Sequence, residues 1–218
     1  MSGKTRILIV DDHTIVRIGL TALLGAETDF EVVGEAKNGL EAVKSAKSLH
    51  PDVIVMDLVM PKKNGIDATA EILEALPTTK VLVLTSFGTS DGIAHALQVG
   101  AVGAVMKTAD DGALVSAIRK VMRGERVISP EIKRMLNEDP PVPELSTRQR
   151  EILAAITSGR SNKEIASDLG IRKDSVEDYL RTLFSKLGAA NRTEAVAIAL
   201  RKHLLKGQNY QFPLWLDT

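Results

Sequence analysis

A chain of 218 residues with 44% hydrophobic and 26% charged content has the make-up of two ordinary globular domains. No apolar run approaches the roughly 20 residues that cross a bilayer, the polar start Met1-Ser2-Gly3-Lys4-Thr5-Arg6 does not read as a secretory signal, and the absence of cysteine excludes disulfides and thiolate metal sites, so a cytoplasmic protein is expected. The net charge of zero hides an asymmetry: residues 1–144 carry 16 Lys/Arg against 20 Asp/Glu and residues 145–218 carry 12 against 8, an acidic front suited to a cation and a basic back suited to a polyanion.

The front half alternates strand and helix patterns. Arg6-Ile7-Leu8-Ile9-Val10 reads as a strand ending on Asp11-Asp12, and a helix over residues 14–24 follows, with Ile15, Ile18, Leu20 and Leu23 marking its apolar face. Residues 30–36 read as a second strand and 38–49 as a helix, where Asn38 and Glu41 have capping-box spacing. Val53-Ile54-Val55-Met56 is an apolar run between turn signals that stops on Asp57, as a strand buried on both faces would. Residues 65–76 form the next helix, which Pro77 stops; 81–85 is a fourth strand, 91–99 a helix, 104–106 a short fifth strand and 110–123 the last helix. Five strands alternating with five helices predict a doubly wound, flavodoxin-like parallel sheet with right-handed crossovers. The functional edge of such a sheet lies where its strands end.

Four polar features stand at four strand ends: Asp11-Asp12, Asp57, Thr85-Ser86 and Lys107. Three carboxylates in one crevice repel one another unless a cation sits among them, and an all-oxygen donor set favours a hard ion such as Mg²⁺. The chemistry such a set supports is attack of a carboxylate oxygen on phosphorus, with Lys107 and the Thr85 hydroxyl holding phosphoryl oxygens.

These residues carry a family resemblance. Asp11-Asp12, Met56-Asp57-Leu58-Val59-Met60-Pro61 with Asn64-Gly65, Leu84-Thr85-Ser86, and Gly100-Ala101 leading to Lys107 resemble the receiver domain of two-component response regulators. The resemblance implies that Asp57 accepts phosphate from a sensor histidine kinase, that Asp12, Asp57 and the Val59 carbonyl ligate Mg²⁺ with help from Asp11, and that Thr85 and Lys107 bind the phosphoryl group. One position departs from the family: Ala104 stands where a switch Tyr or Phe is usual. Either packing around Phe87 and Met106 relays the motion of Thr85, or the receiver answers phosphate weakly.

The receiver is expected over residues 4–123, a linker with one short helix near Ser129-Pro130 over 124–144, a DNA-binding domain over 145–206 and an aromatic tail over 207–218. Pro140, Pro141 and Pro143 mark the linker as semi-rigid and extended. In the back half, Ser146 with Gln149, Ser161 with Glu164, Asp174 with Glu177 and Asn191 with Glu194 repeat capping-box spacing, and Gly159, Gly170, Gly188 and Gly207 fall where helices end. Four helices around one small core follow, too little for an enzyme site.

Ser161-Asn162-Lys163-Glu164-Ile165-Ala166, Leu169-Gly170-Ile171, Asp174-Ser175-Val176 and Lys186-Leu187-Gly188 with Asn191-Arg192-Thr193-Glu194 resemble the LuxR/NarL-type helix-turn-helix. The resemblance implies that a third helix over 175–187 enters the major groove of double-stranded DNA. Asp174, Glu177, Asp178, Arg181 and Ser185 are left outside its apolar stripe, and with Ser175 the last four are expected DNA contacts, Arg181 suited to guanine or phosphate and Glu177 to a cytosine amino group. Lys163, Arg172, Lys173, Lys186 and Arg192 are the candidate phosphate contacts. Asp174, Glu177 and Asp178 at the start of that helix repel a phosphate backbone, so weaker or more selective binding through a dimer is expected.

Tyr210, Phe212 and Trp215 place three of the seven aromatics in the last nine residues, and a docking role is expected for them. The leading function is a transcription factor whose dimerisation and DNA binding are set by phosphate on Asp57, with homodimers when active and no membrane partner. A phosphorylation-independent DNA-binding regulator is the alternative suggested by Ala104. A Mg²⁺-dependent phosphohydrolase is disfavoured because position 59 is valine rather than a second acid, and a small-molecule sensor because only Phe30 and Phe87 could line a pocket in the front half.

Overall fold

The structure is a computed structural model, described here for residues 3–86, 89–108, 110–143, 145–202 and 204–205. The chain divides into two units at Pro141/Val142. Among the described residues no helix is long and apolar enough to cross a membrane.

In the first unit the strands are β1 (Thr5–Val10), β2 (Phe30–Ala36), β3 (Val53–Met56), β4 (Lys80–Thr85), β5 (Gly103–Met106) and β6 (Val127–Ile128). All are parallel, in the order β2-β1-β3-β4-β5-β6. The helices between them are α1 (Thr14–Gly25), α2 (Gly39–Leu49), α3 (Gly65–Ala75), α4 (Ser90–Gln98) and α5 (Asp111–Met122), and α6 (Pro130–Glu138) follows β6. Local chemistry sets several starts. Asn38, Asn64, Thr89 and Asp110 each accept the N3 backbone N–H with the side chain.

Alternation along the strands sends successive side chains to opposite faces. Ile7, Ile9, Val53, Val55, Leu82, Leu84 and Val105 join Leu24, Leu114, Val115, Ile118 and Val121 in one layer. Leu8, Val10, Ile54, Met56 and Val81 join Ala42, Val43, Ala46, Ala68 and Ile72 in the other. Two expectations fail at α1: Ile15 and Ile18 are 85% and 61% exposed, and the helix buries Leu24 instead, with Leu20 and Leu23 packed beside it. A helix on a sheet buries one stripe, and Leu20, Leu23 and Leu24 already occupy it.

Among the described residues the sheet has six strands, not five. Val127 and Ile128, within the stretch expected to be linker, pair with Gly103 and Ala104. Gly103 permits that approach, since a Cβ there would stand 2.4 Å from the Val127 carbonyl oxygen. Ser129 then donates its N–H to the Ala104 carbonyl (3.0 Å) and caps α6, where Pro130 follows as the first helical residue. Helix α6 runs to Glu138 and buries Ile132 against Val83, Ile93, Ala96, Ala101 and Ala104. Two residues between Gly124 and Pro130 are too short a run to register as a strand in the sequence.

The second unit is helical: α7 (Thr147–Thr157), α8 (Asn162–Leu169), α9 (Lys173–Leu187) and α10 (Arg192–Arg201). Leu145, Ile152, Leu153, Ile156, Ile165, Val176, Leu180, Leu183, Leu187 and Ile198 form its core. Full capping boxes start α7 at Ser146 and α8 at Ser161. Gly159, Gly170 and Gly188 take positive φ at helix ends. Gly207 and the aromatic tail lie outside the described residues. Asp174 caps nothing, because α9 begins two residues before Ser175, with Arg172 at its N-cap, and takes Asp174 into its first turn.

Candidate functional site

Strand register builds the site. Val10 and Met56 are paired across β1 and β3, and the Asp57 N–H donates to the Val10 carbonyl (2.9 Å), so Asp11 and Asp57 leave adjacent strands side by side. This is the crevice where the strand order reverses. On the other flank Thr85 closes β4, and Lys107, one residue beyond β5, donates its N–H to the Thr85 carbonyl (2.9 Å).

Ligating atoms of Asp11, Asp12, His13 and Asp57 all lie within 4.8 Å of one another. Lys107 Nζ bridges the two inner acids, 2.5 Å from Asp11 Oδ2 and 2.6 Å from Asp57 Oδ2. Burial pushes the Asp57 carboxyl above its ordinary value, and the hydrogen bond and charge of Lys107 offset this only in part. Burial disfavours the ammonium of Lys107 as well, but its bonds to Asp11 and Asp57 outweigh that and hold its pKa above the usual lysine value.

Two buried oxygens at this edge have no hydrogen-bond partner among the described residues: Asp12 Oδ1 and Thr85 Oγ1. Asp12 Oδ1 lies 2.9 Å from His13 Nδ1 without hydrogen-bond alignment. Buried polar atoms are rarely left bare, so both are poised for something added. Three carboxylates against one lysine leave a negative excess, and an orphaned carboxylate oxygen among hard oxygen donors fits a divalent cation of the Mg²⁺ type.

The loop after β3 is fixed from several sides. The N–H of Gly65 donates to the Leu58 carbonyl (3.0 Å), and a Cβ on Gly65 would stand 2.0 Å from the Asp57 carbonyl oxygen, so only glycine lets α3 start this close. The Gly39 N–H donates to the Lys63 carbonyl (2.9 Å), and the ammonium groups of Lys63 and Lys47 both meet Glu71. Val59 is exposed, and its N–H points to Asp57 Oδ1 at 3.3 Å.

The structure therefore brings Asp11, Asp12, Asp57 and Lys107 together. Thr85 sits buried on the adjacent strand end. His13 was not anticipated from the sequence, although its place directly after Asp11-Asp12 was the available signal. Ala104 is fully buried in one cluster with Ile132 of α6, and Met106 packs at the margin of that cluster. Phe87 lies outside the described residues.

In the second unit, α8 and α9 are joined by the short turn at Gly170-Ile171-Arg172, with Val176, Leu180, Leu183 and Leu187 of α9 buried. Lys173, Asp174, Glu177, Asp178, Arg181 and Ser185 are left exposed on α9, and Ser175 is half-buried. Two cations stand there against three carboxylates, and both are engaged: Lys173 with Glu177 (3.5 Å) and Arg181 with Asp178 (3.3 Å). Lys163 and Arg172 are exposed as well. Lys186 and Arg192 instead turn to their own unit. Lys186 Nζ donates to Gln149 Oε1 (3.1 Å), and the Arg192 guanidinium meets the Arg160 carbonyl and Asn162 Oδ1.

A buried acid–lysine site on a doubly wound sheet, followed by a helix-turn-helix unit, defines a signal-receiving domain joined to a nucleic-acid-binding one. Residues 7–119 match the response regulator receiver domain family, and residues 143–199 match the bacterial regulatory proteins of the luxR family. The chain is 39% identical over 208 residues to the transcriptional regulatory protein LiaR of Bacillus subtilis, covering 92% of this chain and 99% of LiaR. It is likewise 39% identical over 206 residues to the response regulator protein VraR of Staphylococcus aureus, with coverage of 92% and 99%. Among solved structures it resembles the response regulator ChrA of a heme-sensing two-component system, at 35% identity, a TM-score of 0.56 and coverage of 94% of this chain and all of ChrA. The chain belongs to the response regulators that join a receiver domain to a LuxR-type DNA-binding domain.

Proposed function

We propose that this response regulator takes a phosphoryl group on Asp57 from a sensor histidine kinase and that the modification sets dimerisation and DNA binding by the second unit. The observation that carries the reading is the grouping of Asp11, Asp12 and Asp57, with Lys107 against Asp11 and Asp57 and with Asp12 Oδ1 and Thr85 Oγ1 accepting or donating no hydrogen bond among the described residues.

In the transfer, a carboxylate oxygen of Asp57 attacks phosphorus, the bond from phosphorus to the kinase histidine nitrogen breaks, and the imidazole departs. Asp11, Asp12, Asp57 and the Val59 carbonyl would hold Mg²⁺, which when bound screens the negative charge of the incoming phosphoryl group. Lys107 already spans two carboxylates and can turn one N–H to a phosphoryl oxygen as Asp57 becomes an acyl phosphate. The Thr85 hydroxyl, unsatisfied in its buried position, donates to another. Burial of Asp57 keeps competing water from the acyl phosphate. Valine at position 59 leaves no second acid two residues on, so the chain acts as an acceptor rather than a turnover phosphohydrolase.

For DNA, α9 would lie in the major groove of a double-stranded site, with Ser175, Glu177, Asp178, Arg181 and Ser185 toward base edges and Lys163, Arg172 and Lys173 toward phosphates. Lys186 and Arg192 are better read as internal ties that present this face. The phosphorylation-independent alternative suggested by Ala104 is not favoured by the family relationship.

Light scattering with and without acetyl phosphate and Mg²⁺, beside an Asp57→Ala control, tests the reading. The expected result is a monomer that becomes a dimer only when Asp57 is intact; identical masses in every sample would overturn it.

A further inference from the structure

We infer that Arg17 is a positioning residue for divalent-cation binding, acting through the backbone of Asp11 and Asp12, and that Glu35 keeps its charge from opposing the cation; this rests on the Mg²⁺ reading proposed above.

Arg17 lies one turn into α1, and its side chain is only 13% exposed. It folds back under the acidic pair. Its Nη1 donates to the Asp11 carbonyl (2.9 Å) and the Asp12 carbonyl (3.3 Å), and its Nη2 to Thr14 Oγ1 (3.3 Å). The Nε–H donates to Glu35 Oε2 (3.1 Å) on β2, and Thr21 on α1 donates its hydroxyl to Glu35 Oε1 (2.9 Å). One guanidinium thus ties the end of β1, the first turns of α1 and the neighbouring strand β2 to the two carbonyls that precede α1.

Those carbonyls are the handles of the site. Asp11 and Asp12 sit between a strand and a helix, where backbone rotation decides where each carboxylate points. The Asp11 side chain has an additional local restraint, accepting the His13 N–H (2.8 Å). Asp12 Oδ1 accepts no hydrogen bond among the described residues and meets only His13 Nδ1, its chain neighbour, at 2.9 Å, so the direction of its carboxylate follows the backbone that Arg17 grips. Lysine would substitute only in part, because a point ammonium cannot serve two carbonyls and a carboxylate with fixed geometry.

Charge is the second half of the inference. A bare guanidinium beside a cation site would weaken it. Glu35 meets that charge directly, so the clamp adds stiffness without adding a net positive field. A purely structural staple between α1 and β2 would need no grip on the Asp11 and Asp12 carbonyls.

The test uses the full chain and Mn²⁺ as the probe, with free Mn²⁺ followed by electron paramagnetic resonance, Mg²⁺ competing, and melting temperatures taken in EDTA. Arg17→Met is expected to raise the Mn²⁺ dissociation constant about tenfold or more, the usual effect of losing a group that orients metal ligands. Arg17→Lys, which keeps the charge and perturbs the fold less, is expected to fall between. Glu35→Gln is expected to weaken binding about threefold at low ionic strength, an effect that shrinks in high salt. A folded Arg17→Met or Arg17→Lys chain that binds Mn²⁺ within twofold of the parent, with only its melting temperature lowered, would overturn the inference. If the parent chain itself binds no Mn²⁺, the metal reading fails and this inference fails with it; that result is distinct from a parent that binds and variants that bind equally.

Discussion

The Asp57 carboxylate and the Lys107 ammonium lie 2.6 Å apart, and Asp11 holds the other side of the same ammonium at 2.5 Å. Despite that bridge, burial leaves the Asp57 carboxyl with a raised pKa, so the fold holds this charge at a cost and keeps it ready for chemistry.

A pH signature follows. A raised value means that the folded chain binds a proton at Asp57 more readily than the unfolded chain. Its contribution therefore favours folding at low pH and is lost as pH rises from the ordinary carboxylate range through the folded value. Asp57→Asn is expected to raise the melting temperature in EDTA at pH 7.5, with the gain shrinking toward pH 4.5, and to abolish labelling by acetyl phosphate. Thermal melts at the two pH values check this; an Asn variant less stable at pH 7.5 would contradict it.

Gly65 offers a steric test of the loop after β3. The 2.0 Å approach to the Asp57 carbonyl leaves no room for a methyl group. Gly65→Ala is expected to cost about 1–3 kcal/mol by overpacking and to slow phosphorylation by moving Asp57, as read by urea titration and acetyl phosphate kinetics.

Ala104 and Ile132 invite a double-mutant cycle. Ala104→Tyr forces a large ring into a filled cluster and is expected to cost about 1–3 kcal/mol. Ile132→Ala leaves a void and is expected to cost about 2–5 kcal/mol. Because both act on one space, the double variant should lose clearly less than the sum. Strict additivity in denaturant unfolding would show that Ile132 does not occupy the missing ring's place.

Salt dependence sorts the basic residues of the second unit. Lys163→Ala, removing an exposed cation, is expected to flatten the slope of log affinity against log salt by about 1. Lys186→Met is expected to leave that slope unchanged and to lower stability by about 1 kcal/mol through loss of its bond to Gln149. Binding isotherms at several salt concentrations, beside melts, separate the two.

Much of the fold is legible in the sequence because it rests on strong local signals. Apolar runs that stop on Asp11, Asp57 and Thr85, and caps such as Asn38, Asn64 and Ser161, carry their own physical reasons. What escapes has its cause elsewhere. Val127 and Ile128 become a strand only because Gly103 lets them approach β5, which a two-residue pattern cannot announce. Arg17 carries no motif in the sequence, and only tertiary structure turns it back beneath Asp11 and Asp12. Asp174 has capping-box spacing to Glu177, yet α9 starts earlier and takes it into the first turn. Ile15 and Ile18 follow helical periodicity, but the sheet accommodates a different stripe.

The sixth strand has a consequence for exchanging modules between regulators. A chimera cut after α5 would strip β5 of its neighbour and uncover Ala104 and Val83, handing the incoming partner a receiver with an unfinished edge. The natural splice point is the unit boundary at Pro141/Val142, beyond α6 and Asp139. The segment that leads to the DNA-binding unit is thus also part of the receiver's own body, and a graft that respects this keeps the two inheritances separable.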